Sequence, residues 1–201
     1  MYDVVIVGGG AAGFGCALTL ASVEITQQWA KGKQYLMIDN GNSDILKASF
    51  FNLSGVEFGI GGDGLLKKME LQLKNFSSCQ TLDDTVTTLE KTQYGFELKT
   101  ALGQVIEAKI VVLATGMHKF DIQTNLVEVI PHDDVLKPGK ICLKNSDNMI
   151  CENLFVAGLA SGAKTMFAIA NGEGAKVACQ IFKLWTGKPA VAHDTIKDRL
   201  F

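Results

Sequence analysis

The sequence predicts a single α/β domain with a parallel central sheet and an added β-meander, and three observations predict it. A strand over 3–7 runs into a glycine-rich turn, a helix and a second strand over 34–39, the order of a βαβ unit. Two continuous apolar runs, 110–113 and 154–156, have the character of strands buried on both faces. Three short β patterns, over 85–89, 96–99 and 105–108, describe a meander placed before them.

The first strand is Asp3-Val4-Val5-Ile6-Val7. The helix behind it starts at about Ala11 and runs to Ala21, or on toward Trp29. Phe14, Ala17, Leu18 and Ala21 recur in it at helical spacing. Lys31-Gly32-Lys33 ends that element, and the strand 34–39 should then lie parallel to the first after a right-handed crossover. Residues 40–61 read as loop. A helix over about 62–76 follows, with Leu65, Leu66, Met69 and Leu73 on one face. Ala101-Leu102-Gly103-Gln104 is a hairpin turn between the last two meander patterns. The apolar run 110–113 breaks at Ala114-Thr115-Gly116, and 154–156 breaks at Ala157-Gly158. The stretch 117–150 is the least regular and holds Pro131 and Pro138. A helix over about 165–184 closes the fold, with a loose tail beyond Gly187. No repeat or linker divides the chain, so all 201 residues read as one domain.

Composition narrows the function classes. With 47% hydrophobic and 20% charged residues, the chain has the make-up of a folded domain. Lysine plus arginine number 19 against 21 aspartates and glutamates, a net charge of −2, so no basic field draws in nucleic acid or an anionic membrane. No apolar run approaches the roughly 18–20 residues that span a bilayer. The start of the chain leaves no room for a signal peptide. Five scattered cysteines, with no C-x-x-C pair, read as reduced thiols. The expected location is therefore cytoplasmic.

Gly8, Gly10 and Gly13 form G-x-G-x-x-G between a strand and a helix. The first glycine permits the tight turn, the second lets a pyrophosphate approach the backbone, and the third lets helix and strand pack closely. The helix N-terminus offers unpaired N–H groups and a partial positive charge to a diphosphate. Asp39 ends the second strand 26 residues after Gly13, where an acid grips ribose hydroxyls. An acid there suits the free 2′-hydroxyl of FAD or NAD over the 2′-phosphate of NADP. The βαβ unit alone does not separate FAD from NAD.

The later motifs do. Asn52-Leu53-Ser54-Gly55, Gly59-Ile60-Gly61-Gly62-Asp63-Gly64-Leu65-Leu66, Val86, Val111-Val112-Leu113-Ala114-Thr115-Gly116, Leu154-Phe155-Val156-Ala157-Gly158 and Ala170-Asn171-Gly172-Glu173-Gly174-Ala175 follow one another in order. With them, nearly the whole chain resembles the FAD-binding domain of thioredoxin-reductase-like flavoproteins, within the pyridine nucleotide-disulfide oxidoreductase class. The resemblance implies a Rossmann-like domain, FAD as cofactor and a homodimer. It places cofactor contacts at Gly8, Gly10, Ala11, Ala12, Gly13, Asp39, Asn52, Val86, Ala114, Thr115, Gly116, Gly158, Leu159, Met166 and Phe167. The strand ends at Gly116 and Gly158 should share the carboxyl edge of Gly8. The closing helix should aim its N-terminus at the flavin pyrimidine ring.

The departures from the family are specific. Only 37 residues separate Gly116 from Leu154, too few for the family's inserted NAD(P)H domain. The redox C-x-x-C is absent with it. Leu159 stands where the family has an acidic residue that holds the ribityl chain, and Thr165-Met166 replaces its Arg-Gln. Ser161, backbone groups or water would then have to take over those hydrogen bonds.

No nucleophile–base constellation is visible. His118, two residues past Gly116, reads as a solvent-facing loop residue, with an approach to a flavin or its substrate as the alternative; His132-Asp133-Asp134 reads as a surface turn, and His193 lies in the tail. Cys142 and Cys151 read as idle thiols, with a redox pair as the alternative, and Cys16 and Cys179 as small core residues; Phe50-Phe51 reads as packing under the 40–61 loop, with an aromatic flanking the isoalloxazine as the alternative. The expectation is a minimal FAD-dependent oxidoreductase that takes electrons from a diffusible small-molecule donor or a redox partner protein. The alternatives are a non-enzymatic flavin-binding module, or one half of a split reductase.

Overall fold

The computed structural model describes residues 1–190. The expected loose tail and His193 lie for the most part outside them. β1 (Tyr2–Val7), α1 (Ala11–Ser22) and β2 (Tyr35–Asp39) form the opening βαβ unit. A short ribbon, β3 (Ser49–Phe50) with β4 (Ile60–Gly61), leads into α2 (Gly62–Leu73). The chain continues through β5 (Cys79–Asp83), β6 (Val86–Thr92), β7 (Gly95–Thr100) and β8 (Val105–Leu113). A hairpin of β9 (Val129–Pro131) and β10 (Ile141–Leu143) precedes β11 (Met149–Cys151), β12 (Leu154–Val156) and the closing α3 (Phe167–Thr186).

The central sheet runs β11-β12-β8-β1-β2-β5, with β6 and β7 attached through β8. β12, β8, β1, β2 and β5 are mutually parallel, and Val7 is in register with Leu113 and Ile38, while Leu113 pairs with Val156. These strand ends are therefore level, on one carboxyl edge.

Both faces of the sheet are covered, and the alternation of side chains sorts them. Val4, Ile6, Ile110, Val112 and Phe155 pack with α1, α2 and α3. Val5, Val7, Val111, Leu113, Leu154 and Val156 pack with the meander residues Leu89, Phe96 and Leu98. A period of two places successive residues on opposite faces, which is why these strands read as unbroken apolar runs.

The elements depart from the sequence reading at four places. α1 ends at Ser22, and single 3-10 turns carry the chain past Trp29. The patterns at 105–108 and 110–113 are one strand, β8. Its first half alternates exposed and buried positions in the meander, and its second half enters the core. β5 carries no apolar signal because it is an edge strand, its residues partly or wholly exposed. α3 begins at Phe167, two residues after the expected start, because Met166 has extended backbone.

α1 and α3 approach until their backbones touch. A Cβ on Gly174 would lie 1.9 Å from the Ala12 carbonyl oxygen, and one on Gly15 would lie 2.2 Å from that of Asn171. At the other end of the sheet Asp84, directly after β5, accepts hydrogen bonds from the backbone N–H groups of Thr85 (2.7 Å) and Leu102 (3.3 Å). It ties the 101–104 turn to the edge of the sheet. Its burial works against the charge, but bonding to Thr100 and to the N–H groups of Thr85, Leu102 and Ala101 holds its carboxyl below the usual carboxylate range.

Two outcomes are expected. Gly174→Ala should force the helices apart and lower unfolding stability by about 1–3 kcal/mol, read from the urea midpoint. Asp84→Asn should lower the Tm most at neutral pH. A lowered native pKa gives stability that is present above the unfolded value of about 4 and is lost as pH falls through the native value. The difference between the Asp84→Asn variant and the parent should therefore shrink toward pH 3.

Candidate dinucleotide cleft

The site grows from the end of β1. Gly8 adopts φ +110°, which a side chain rarely tolerates, and donates its N–H to Ile38 O at 2.8 Å. A Cβ there would sit 2.4 Å from Ala114 O, and a Cβ on Gly13 would sit 1.8 Å from Gly8 O. Two of the three glycines thus serve contact between backbones. The third differs: a Cβ on Gly10 would meet nothing nearer than Ser43 Oγ at 3.4 Å, because this glycine faces the cleft.

α1 begins immediately beyond Gly10. Among the described residues no side chain caps it, and its first turn holds no acid. The closing helix α3 also begins without a side-chain cap and without an acid in its first turn. Ala11 and Ala12 of one helix and Phe167 and Ala170 of the other line the same cleft, of about 540 Å³. Two sets of unpartnered backbone N–H groups and two positive dipole ends therefore converge on it.

Asp39 closes one side. Its Oδ1 accepts from Gly9 N at 2.7 Å and its Oδ2 from Gly41 N at 3.1 Å. The carboxylate thus positions the turn, and each oxygen keeps lone-pair capacity for a further donor such as a ribose hydroxyl. Val86 and Thr85 line one end of the cleft. Phe50, set edge-on to Phe167 at 5.4 Å between ring centroids, lines the cleft with Leu159 and Met166 at the start of α3. At the mouth, Asp44 Oδ2 meets His118 Nε2 at 2.5 Å, Lys47 donates to Asp44 Oδ1 at 2.9 Å, and Lys140 Nζ lies 2.7 Å from His118 Nδ1. Partial burial opposes its charge, but Lys47 and His118 keep the Asp44 carboxyl below the usual carboxylate range.

Of the residues the sequence singled out, Gly8, Gly10, Ala11, Ala12, Asp39, Val86, Ala114, Thr115, Gly116, Leu159, Met166 and Phe167 line this cleft. Three stand elsewhere. Gly13 lies beneath the turn. Gly158, at φ +71°, backs against Ala12, where a Cβ would meet the Ala12 Cβ at 2.6 Å. Asn52 stands outside the lining, with its amide 3.9 Å from Met166 Sδ.

Other expectations are corrected. Ser161 stands outside the cleft lining, where its hydroxyl donates to Gly158 O (2.7 Å) and lies 3.3 Å from the Glu173 carboxylate. His118 is exposed, as a loop histidine should be, yet it lines the cleft. His132 is buried rather than at a surface, with Nδ1 accepting from Asp134 N. Cys179 is exposed on α3, not in the core. Phe51 packs edge-on against Phe58, and both are exposed rather than under a loop.

All five cysteines are free. Burial pushes every one of their thiols up, that of Cys79 to about 12, so none is primed as a thiolate. Sequence reasoning missed Ser43, Asp44 and Lys47 as cleft residues. The only local signal is Asp44 set three residues before Lys47, and nothing in the sequence ties Asp44 to a histidine 74 residues away.

Comparison with known proteins places this geometry. Residues 2–148 match the family described as pyridine nucleotide-disulphide oxidoreductase. A stretch of 61 residues, 30% of the chain, is 41% identical to ferredoxin–NADP reductase of Gluconobacter oxydans (strain 621H), and it spans 18% of that protein. Among solved structures, a thioredoxin reductase from Gloeobacter violaceus superposes with a TM-score of 0.75 at 16% identity, over 96% of this chain and 99% of the other. The atypical thioredoxin reductase TRi from Desulfovibrio vulgaris Hildenborough gives 0.71 at 15% identity, over 94% and 99%. At those identities the likeness is one of fold. The strand order, the glycine turn and the family match over most of the chain agree: this chain belongs to the pyridine nucleotide-disulphide oxidoreductase family, as a thioredoxin-reductase-like FAD-binding domain.

Proposed function

We propose that the chain holds FAD stretched along this cleft and works as an FAD-dependent oxidoreductase. Its electrons would come from a diffusible donor or a partner protein. The observation that carries this reading is the convergence of two uncapped helix N-termini on one cleft. A dinucleotide flavin has two regions that want such an environment, its diphosphate and the pyrimidine edge of its ring.

In this reading the Gly8–Gly10 turn and the first N–H groups of α1 hold the diphosphate, and the Asp39 carboxylate accepts from ribose hydroxyls. The backbone at Val86 meets adenine. Phe50, Leu159 and Phe167 exclude water from the other end, and the α3 N-terminus favours negative charge placed against it. Bound there, FAD supplies the transfer of electrons, while the protein supplies binding, orientation and field. Residues 117–150 are read as a short connection in place of a second nucleotide-binding domain. A second reading, a flavin-holding module without turnover, draws on Leu159, which offers no acceptor where the resembling proteins carry an acid.

The purified protein should be yellow, and anaerobic mixing with NADH or NADPH should bleach it. FAD that binds tightly and stays oxidised with every donor and partner tried would favour the second reading. A colourless protein that takes up no FAD in a calorimeter would exclude both. Asp39→Asn should raise the Kd for FAD roughly tenfold, the loss of one charge-assisted hydrogen bond.

A further inference from the structure

The carboxylate and the imidazole that meet at the cleft mouth come from the two neighbours of β1. Asp44 follows β2 and His118 follows β8, and those strands flank β1 on either side. Both residues line the cleft that the glycine turn also lines. Their 2.5 Å contact therefore joins the chain that leaves β2 to the chain that leaves β8 at the cleft.

The bridge is braced at both ends. Lys47 donates to the second Asp44 oxygen, and the Lys140 ammonium donates to His118 Nδ1. An ammonium has no lone pair, so Nδ1 acts as acceptor and Nε2 carries the proton that Asp44 receives. The brace from Lys140 is itself anchored, since the adjacent Ile141 donates its N–H to Met117 O at 2.9 Å. Residues from three separate stretches of chain thus form one directed row, Lys140 to His118 to Asp44, with Lys47 closing it.

We infer that this row is a clasp at the cleft that sets the rate at which the bound dinucleotide escapes. The inference rests on the reading that FAD occupies the cleft. A ligand lying between the glycine turn and the bridge leaves sideways only after the bridge opens. The two side chains are 39% and 49% exposed, so water replaces their contact readily and the latch is of modest strength.

The test is the rate of FAD release from holo-protein, followed as the rise in flavin fluorescence after dilution. His118→Ala and Asp44→Ala should each speed release about three- to tenfold, the scale of one partly exposed hydrogen bond. The double variant should release no faster than the faster single one, because both changes remove the same bond. Single variants that bind FAD and release it at the parent rate would overturn the clasp, as would a double variant whose acceleration is the product of the two singles. Failure of the parent protein to bind any FAD would instead overturn the reading on which the clasp rests.

Discussion

The structure depends on backbone-to-backbone contact around α1. Gly13 brings the helix onto the Gly8 carbonyl, Gly15 and Gly174 bring it onto α3, and Gly158 admits the Ala12 methyl group. Each contact is shorter than any side chain allows. Together they hold the starts of α1 and α3 at one cleft beside the level ends of the parallel strands. A methyl group at any of these points displaces a helix, and with it a set of N–H groups whose value lies in their direction.

The attraction of the cleft for a negatively charged ligand follows from that geometry and not from basic side chains. The protein carries a net charge of −2, and the lysines around the mouth are committed: Lys47 to Asp44, Lys119 to Asp121, Lys140 to His118. Fixed peptide dipoles need no side-chain ordering when a ligand arrives, so they favour binding at small entropic cost. The five thiols lie outside this arrangement, each raised by burial.

Much of the fold was legible because its strongest signals are local. The glycine spacing at 8, 10 and 13, the apolar runs ending at Leu113 and Val156, and the heptad-like face of α2 each report a backbone state or a buried face within a few residues. β5 was illegible for the opposite reason. Its residues Cys79–Asp83 are polar or half-exposed, and only pairing with β2 makes them a strand. The two halves of β8 read as separate patterns because one strand passes from a one-sided to a two-sided environment.

The sequence by itself determined the βαβ opening, the glycine turn with its acid, and the ends of the buried strands, since each is written in neighbouring residues. Only the tertiary structure decided that His118 faces Asp44 across the cleft, that the Ser161 hydroxyl donates to Gly158 O away from the cleft lining, and that Gly13 and Gly158 serve packing instead of lining. Those facts join segments tens of residues apart. Their distances follow from how helices and strands stack, and no local propensity carries that information.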